Sequence, residues 1–250
     1  MLNFDVVIIG SGLAGLSTAL KLADKKKIAI ISKRQLIDSS SHWAQGGIAS
    51  TSSSEDSVDK HVSDTLAAGA DLCDEQVVRF VSEHSPAAIQ WLQNIGVDFT
   101  KQATNNLLHF TQEGGHTVRR IAHVADTTGK AVQSVLIQKV LAHPNIRIFE
   151  DHIVVDLITN KKIDLSETGK NECLGMYVLE NFSGKVSTIR SGVTILASGG
   201  ASKVYLYTTN PDVSTGDGMA MAWRAGCRLA NMEFIQFHPT CLFHPKEKSF

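Results

Sequence analysis

The 250-residue chain carries 24 Lys and Arg against 25 Asp and Glu, a formal net charge of −1, with 43% hydrophobic and 20% charged residues. That balance is ordinary for a globular protein with a large core, and with no basic run longer than Lys25–Lys27 it argues against a nucleic-acid partner. No apolar stretch approaches the ~20 residues of a membrane span, no basic region opens a signal peptide, and Cys73, Cys173, Cys227 and Cys241 lack C-x-x-C spacing and fit buried, reduced thiols, so a soluble cytoplasmic protein is expected.

The first element is a strand. Asp5–Ile9 (DVVII) is a β-branched run of the kind buried on both faces in a parallel sheet. Gly10-Ser11-Gly12-Leu13-Ala14-Gly15 follows, then a helix over Leu16–Ala23 with Leu13, Leu16, Leu20 and Ala23 on one stripe. A second strand starts over Lys27–Ile31. Ser39–Ser54 reads as loop. Helices are expected over Asp56–Ala70 and Asp74–Ile95, the second with Val77, Phe80, Val81, Ile89 and Leu92 on its core stripe and bent by Pro86. Phe110–Thr128 is punctuated by glycines, and Gly129–Ala142 is a further amphipathic helix. Ile146–Phe149 and Ile153–Ile158 read as strands. Leu174–Val178 and Val186–Ile189 read as a hairpin turning at Phe182–Lys185, above a polar connection at Thr159–Asn171. Val193–Ala197 reads as another buried strand ending at Ser198-Gly199-Gly200. The sequence stops at CLFHPKEKSF with no element pattern closing it, which suggests the front part of something longer.

The G-x-G-x-x-G at Gly10–Gly15 follows a strand and opens a helix within a strand–turn–helix–strand unit, the setting of a dinucleotide site. Glycines there permit a tight turn and let backbone N–H groups approach a pyrophosphate at the helix N-terminus. The acidic residue expected about 20 positions later is missing. Ser32-Lys33-Arg34 stands at the end of the second strand instead. A hydroxyl such as Ser32 can take a ribose contact, while Lys33-Arg34 in isolation suggests a 2′-phosphate. The fingerprint alone does not choose between dinucleotides.

The segments SSHWAQGG (Ser40–Gly47), EGGH (Glu113–His116) with RIAH (Arg120–His123), ASGG (Ala197–Gly200), TNPDVSTGDG (Thr209–Gly218) and EFIQFHPTCLFH (Glu233–His244) add to the fingerprint. Together they resemble the FAD-dependent fumarate reductase/succinate dehydrogenase flavoprotein superfamily. Within it the chain is similar to the L-aspartate oxidase family, most specifically at HPNIR (His143–Arg147) and GGASKVY (Gly199–Tyr205). The resemblance covers essentially the whole chain, and family members are about twice this length. It implies an α/β fold: a Rossmann-like FAD-binding domain with a mostly parallel central sheet, over 1–237, with a helical insertion at about 55–130 and a β-hairpin or meander. Residues 238–250 would begin a substrate-capping region that is otherwise absent.

The resemblance also implies the site. FAD contacts are expected at Gly10, Ser11, Gly12, Leu13, Ala14 and Gly15, at Ser32 and Lys33, and along Ser40, Ser41, His42, Trp43, Ala44, Gln45, Gly46 and Gly47. Val154, Ala197, Gly199 and Asp217 complete that set. This replaces the 2′-phosphate reading of Lys33. Covalent attachment in membrane succinate dehydrogenases uses a His five positions before the Gln of AQGG; here that position is Ser40, and His42 is out of register, so FAD is expected to be non-covalent. Aspartate oxidation needs groups for two carboxylates and an anion for the ammonium. Glu113 is the anion, His238 binds carboxylate, and His116 is a hydrogen-bonding neighbour. Arg119, Arg120, His123 and Asp126 read as structural. His109, His116 and His123 fall seven apart, but Gly114-Gly115 breaks any helix between them and no metal site is expected.

The function so implied is oxidation of L-aspartate to iminoaspartate by hydride transfer to FAD, with O₂ or fumarate as acceptor, in de novo NAD biosynthesis. A functional link to quinolinate synthase goes with it. The catalytic arginine of the family would lie beyond residue 250, so no catalytic residue is assigned here and these 250 residues alone are expected to be inactive. A soluble fumarate reductase or succinate dehydrogenase flavoprotein is the alternative. A module keeping FAD or NAD as a structural ligand would bind without turnover.

Overall fold

The computed structural model describes residues 2–164 and 169–238. In chain order they form β1 (Leu2–Ile9), α1 (Leu13–Leu22), β2 (Ile28–Ile31), the short α2 (Ser40–Trp43), β3 (Ile48–Ala49), α3 (Val58–Ala68) and α4 (Glu75–Ile95). There follow β4 (Phe110–Thr111), β5 (Ile121–Ala122), α5 (Thr128–Ala142), β6 (Ile146–Phe149), β7 (His152–Thr159), β8 (Cys173–Glu180), β9 (Val186–Leu196), a 3₁₀ turn at Ser202–Val204 and α6 (Asp217–Arg224). The chain divides into two compact units, one from residues up to His42 together with those from Leu136 onward, the other Trp43–Val135.

The first unit is built on a six-stranded sheet in the order β6-β2-β1-β9-β8-β7. β6, β2, β1 and β9 run parallel, and β9, β8 and β7 form an antiparallel meander. Val6–Ile9 and Ile28–Ile31 are buried along their whole length, as the interior of a parallel sheet demands. Leu16 and Ala19 of α1 are fully buried. A core of Val7, Ile9, Ala29, Ile31, Phe149, Val154, Leu157, Met176, Val178, Ile189 and Met221 unites the sheet with α6.

Two strand expectations need correction. Val186–Ile189 and Val193–Ala197 are not separate strands: β9 runs unbroken through Ser191-Gly192, pairing with β8 on one side and β1 on the other. Backbone hydrogen bonds carry it past the glycine, which propensity alone would treat as a break. Its end is also not buried. α1 lies over β1 and β2, and Val193 and Leu196 remain exposed.

The second unit pairs α3 with α4 and carries a small antiparallel sheet in the order β3-β5-β4. Ser57 caps α3 by accepting from Lys60 N, and Asp74 caps α4 by accepting from Gln76 N and Val77 N, satisfying donors a helix start leaves free. α4 ends at Gly96 in the left-handed region, φ 113°. The stretch expected to be loop, Ser39–Ser54, contains the helical turn α2 and strand β3.

α4 also buries a different stripe from the one expected. Ile89 and Leu92 are buried, but Val77, Phe80 and Val81 are exposed, and the inward line continues through Ser85 and Ser82. The Ser85 hydroxyl is satisfied there: Thr51 N donates to Ser85 Oγ at 3.1 Å. Pro86 explains the rest. Its missing N–H would leave the Ser82 carbonyl unpaired four residues back, and that oxygen accepts instead from Thr51 Oγ1 at 3.2 Å and Ser85 Oγ at 2.8 Å.

Cys73 and Cys173 are half-buried free thiols and Cys227 is exposed, so burial does not hold for Cys227, which follows the C-terminal end of α6. Cys241 and the rest of 239–250 lie outside the described residues, as does 165–168 within the expected polar connection. Among the described residues no helix is long and apolar enough to cross a membrane.

Candidate functional site

In the first unit the glycine turn sits at the carboxyl ends of three parallel strands, where open α/β sheets bind ligands. Gly10 N donates to Ile31 O at 2.9 Å and Ala197 N to Ile9 O at 2.8 Å, so the turn is wedged between the ends of β2 and β9. Gly10 has φ +116°, and a Cβ there would lie 2.2 Å from Ala197 O. A Cβ on Gly15 would lie 2.1 Å from Gly10 O. The third glycine does not line the site; it lets α1 seat on the end of β1.

α1 starts without a side-chain cap from Gly12 and without an acidic residue in its first turn. Leu13 N donates to Ser41 Oγ at 3.1 Å. The positive end of the helix borders a cavity of about 270 Å³ lined by Gly10, Ser11, Gly12, Leu13, Ala14, Ser32, Lys33, Ser40, Ser41, Val154, Ala197, Gly199 and Asp217. Every one of these is a position expected to touch cofactor. Ten further residues line it outside the expected set: Asp38, Ser39, Ser198 and Ser214, with His152 and the apolar Ile9, Ile31, Ile153, Val213 and Met221. Ser198 and Ser214 lie inside ASGG and STGDG, the segments that bore the signal.

The acid that β2 lacks arrives from the far end of the unit. Asp217, first residue of α6, lies on the cavity wall and receives Lys33 Nζ at 2.6 Å; Thr215 Oγ1 donates to its other oxygen at 2.6 Å. Ser11 and Ser32 hydroxyls pair at 3.1 Å beside them. A narrow glycine cradle, a helix start that Gly12 leaves without a side-chain cap and a carboxylate beside hydroxyls fit the pyrophosphate and ribose of a dinucleotide. A second cavity of about 600 Å³ shares Ser40, Gly199 and Ser214 with the first and has His238 on its wall.

Burial pushes the Asp217 carboxyl up, but hydrogen bonds from Lys33 and Thr215 outweigh it and hold it below the usual value of 3.8. A carboxyl depressed in the folded state stabilises above its unfolded pKa and loses that contribution as pH falls through the lower folded value. Wild type is therefore expected to be more stable than Asp217→Asn at pH 7. Denaturation midpoints measured through the acid range should converge below pH about 4; a gap independent of pH would mean that the ionised carboxylate is not what matters.

The second unit holds Trp43, Ala44, Gln45, Gly46, Gly47, Glu113 and His116. A Cβ on Gly47 (φ +135°) would meet Ile121 Cγ2 at 2.5 Å and Ala122 O at 2.6 Å, so no side chain fits there. A Cβ on Gly46 would lie 3.0 Å from Glu113 Oε1. Glu113 is exposed, at the start of the turn between β4 and β5, and its carbonyl accepts from His116 N at 3.2 Å. The His116 ring stands edge-on to His61 at 6.3 Å. His109 Nδ1 and His123 Nε2 are 2.9 Å apart, a pairing made by strand geometry rather than by a helix face. Arg120 is fully buried and bonded to Asp56, a structural tie.

The FAD binding domain family model matches residues 5–250. The chain belongs to the FAD-binding domain family. FAD is its cofactor, and with Lys33 committed to Asp217 and Thr215 the 2′-phosphate reading lapses. This FAD-binding domain is 58% identical over 250 residues to L-aspartate oxidase 1 of Ralstonia nicotianae, covering 100% of this chain and 46% of that protein. It is 53% identical to L-aspartate oxidase of Pseudomonas aeruginosa, with 98% and 46% covered. The chain thus spans about half the length of these relatives. An E. coli quinol fumarate reductase chain superposes with TM-score 0.91 at 33% identity, covering 100% of this chain and 42% of that one.

Proposed function

We propose that this FAD-binding domain is the front portion of an L-aspartate oxidase that converts L-aspartate to iminoaspartate. The observation that carries the reading is the exposed Glu113 carboxylate beside Gly46, an anion in the EGGH segment to which we assign the substrate ammonium. Bound FAD supplies the hydride acceptor, reoxidised by O₂ or fumarate. Glu113 holds and orients the ammonium through a charge-assisted hydrogen bond. His238, on the wall of the cavity beside the cofactor site, takes a substrate carboxylate, and His116 supports the Glu113 turn. Ser40 Oγ pairs with Ser214 Oγ at 3.0 Å; a hydroxyl offers no histidine nitrogen for attachment, so FAD is held non-covalently and acid precipitation should release it.

Residues up to 237 are read as the FAD-binding domain and 238–250 as the start of a capping region, the latter beyond His238 outside the described residues. The setting is cytoplasmic de novo NAD biosynthesis, with quinolinate synthase as the functional neighbour. The test is anaerobic absorption spectroscopy of the enzyme that carries this chain. The flavin bands should bleach on adding L-aspartate and not succinate; bleaching by succinate alone would make it a succinate dehydrogenase or fumarate reductase flavoprotein. In steady state, Glu113→Gln should raise KM for L-aspartate about 10-fold or more, the worth of one hydrogen bond to a charged group, with a smaller effect on fumarate.

A further inference from the structure

The turn that carries Glu113 has open space at its two glycines. A Cβ added to Gly114 or Gly115 would find nothing within 4 Å, and the turn is closed on itself by His116 N donating to Glu113 O at 3.2 Å and Gln112 Nε2 donating to His116 O, so the place of Glu113 follows that of the limb behind it. The returning limb is anchored. Thr117 N and Thr117 Oγ1 donate to Asp64 Oδ2 at 2.8 and 3.0 Å, and Asp64, on α3, is buried. The same oxygen lies 2.8 Å from Arg120 Nη1 as an ion pair. The Arg120 guanidinium is in turn gripped at two points by Asp56, at 2.9 and 3.0 Å. The backbone of Arg120 closes the other limb, its N–H donating to Thr111 O at 3.0 Å.

One buried arginine is already matched by the bidentate Asp56. A second buried carboxylate adds a desolvation cost that a simple tie does not need, and what Asp64 gains for it is the grip on Thr117. Burial alone would push the Asp64 carboxyl up. The Thr117 hydrogen bonds and Arg120 pull it below the ordinary range, so it stays ionised as an acceptor.

We propose that Asp64, backed by Arg120, is a positioning residue for Glu113: it fixes the Thr117 limb to α3 and so presets the carboxylate beside Gly46. The proposal rests on the reading of Glu113 as the ammonium-holding group. Groups held in place before substrate arrives lower the ordering cost of binding, so a slack turn should appear in KM for a substrate that uses Glu113.

The test is a double-mutant cycle in the FAD-loaded enzyme that carries this chain, with wild type, Glu113→Gln, Asp64→Asn and the double variant. KM and kcat for L-aspartate are measured separately, beside KM for fumarate, which has no ammonium. Asp64→Asn should raise KM for L-aspartate about fivefold and leave kcat and the fumarate KM within about twofold; in the Glu113→Gln background it should add less than about twofold. An equal fivefold in both backgrounds, or an equal rise for fumarate, would show a general structural tie and overturn the positioning role. No change in KM for L-aspartate on Glu113→Gln would overturn the parent reading and this proposal with it. Should Asp64→Asn fail to fold, Thr117→Val removes only the hydroxyl bond from an exposed residue. The same cycle then expects about a twofold rise that vanishes with Glu113→Gln, and additivity overturns it.

Discussion

Arg120→Ala is expected to lower the unfolding free energy by about 3–5 kcal/mol, the scale for removing one partner of a buried ion pair. The arginine side chain is fully buried, and its partners Asp56 and Asp64 have side chains 0% and 7% exposed. Truncation would leave two carboxylates facing each other out of water, on top of the cavity left by the stem. Urea denaturation followed by tryptophan fluorescence would report the loss as a lowered midpoint. The exposed pair Arg79–Asp59, at 2.8 Å, is the control: Arg79→Ala should leave the midpoint where it is, because water screens and replaces such a contact. Equal midpoints for Arg120→Ala and wild type would remove the network from any role in holding the unit together.

Gly10→Ala is the second large effect. A methyl at this position would sit 2.2 Å from Ala197 O and 2.6 Å from Ala197 C. These are backbone atoms at the end of β9, and no rotamer change can relieve the contact. The φ of +116° adds strain for any residue with a Cβ. The combined cost of overpacking and backbone strain is about 2–5 kcal/mol, and the turn can meet it only by moving away from β9, which opens the cofactor cradle. FAD should be lost on gel filtration while wild type keeps it. Gly12→Ala separates fold from ligand, since its Cβ would be 3.2 Å from Ser41 Oγ, a side-chain atom that can give way at the cost of at most the one hydrogen bond it accepts from Leu13 N. Its midpoint should stay near that of wild type; a collapse as deep as that of Gly10→Ala would contradict the argument from backbone contact.

The β1–turn–α1–β2 unit could be read in the sequence because every cue there is local: a β-branched run, three glycines at set offsets and an apolar stripe. The resemblance placed most of the cofactor wall. What stayed hidden depended on groups far apart in the chain. Nothing near β2 announces that Asp217, 184 positions from Lys33, stands beside it. Arg120 reads as structural in the sequence, but its partners, Asp56 and Asp64, precede it by 64 and 56 positions and nothing local points to them. The stripe of α4 misled for a related reason. Periodicity ranks Val77, Phe80 and Val81 as the inward face, whereas the buried face carries Ser82 and Ser85, with Thr51 bonded to the Ser85 hydroxyl and the Ser82 carbonyl.

The pairing of β1 with β9, Leu2 opposite Ile189 and Ile9 opposite Leu196, bears on how the chain is made. β1 is made well before β9, the partner on one of its sides, since 187 positions separate Leu2 from Ile189. At usual translation rates the gap is roughly 10–40 s. During that interval an apolar strand has one edge unsatisfied, and closing the long loop delays its pairing further. Within Trp43–Val135 the paired strands β3, β5 and β4 and the helices α3 and α4 lie much closer in sequence. Nascent-chain pulse proteolysis should therefore find that unit protected while Leu2–Ile9 is still being cleaved, and the glycine cradle, which needs Ala197 beside Gly10, would mature after it.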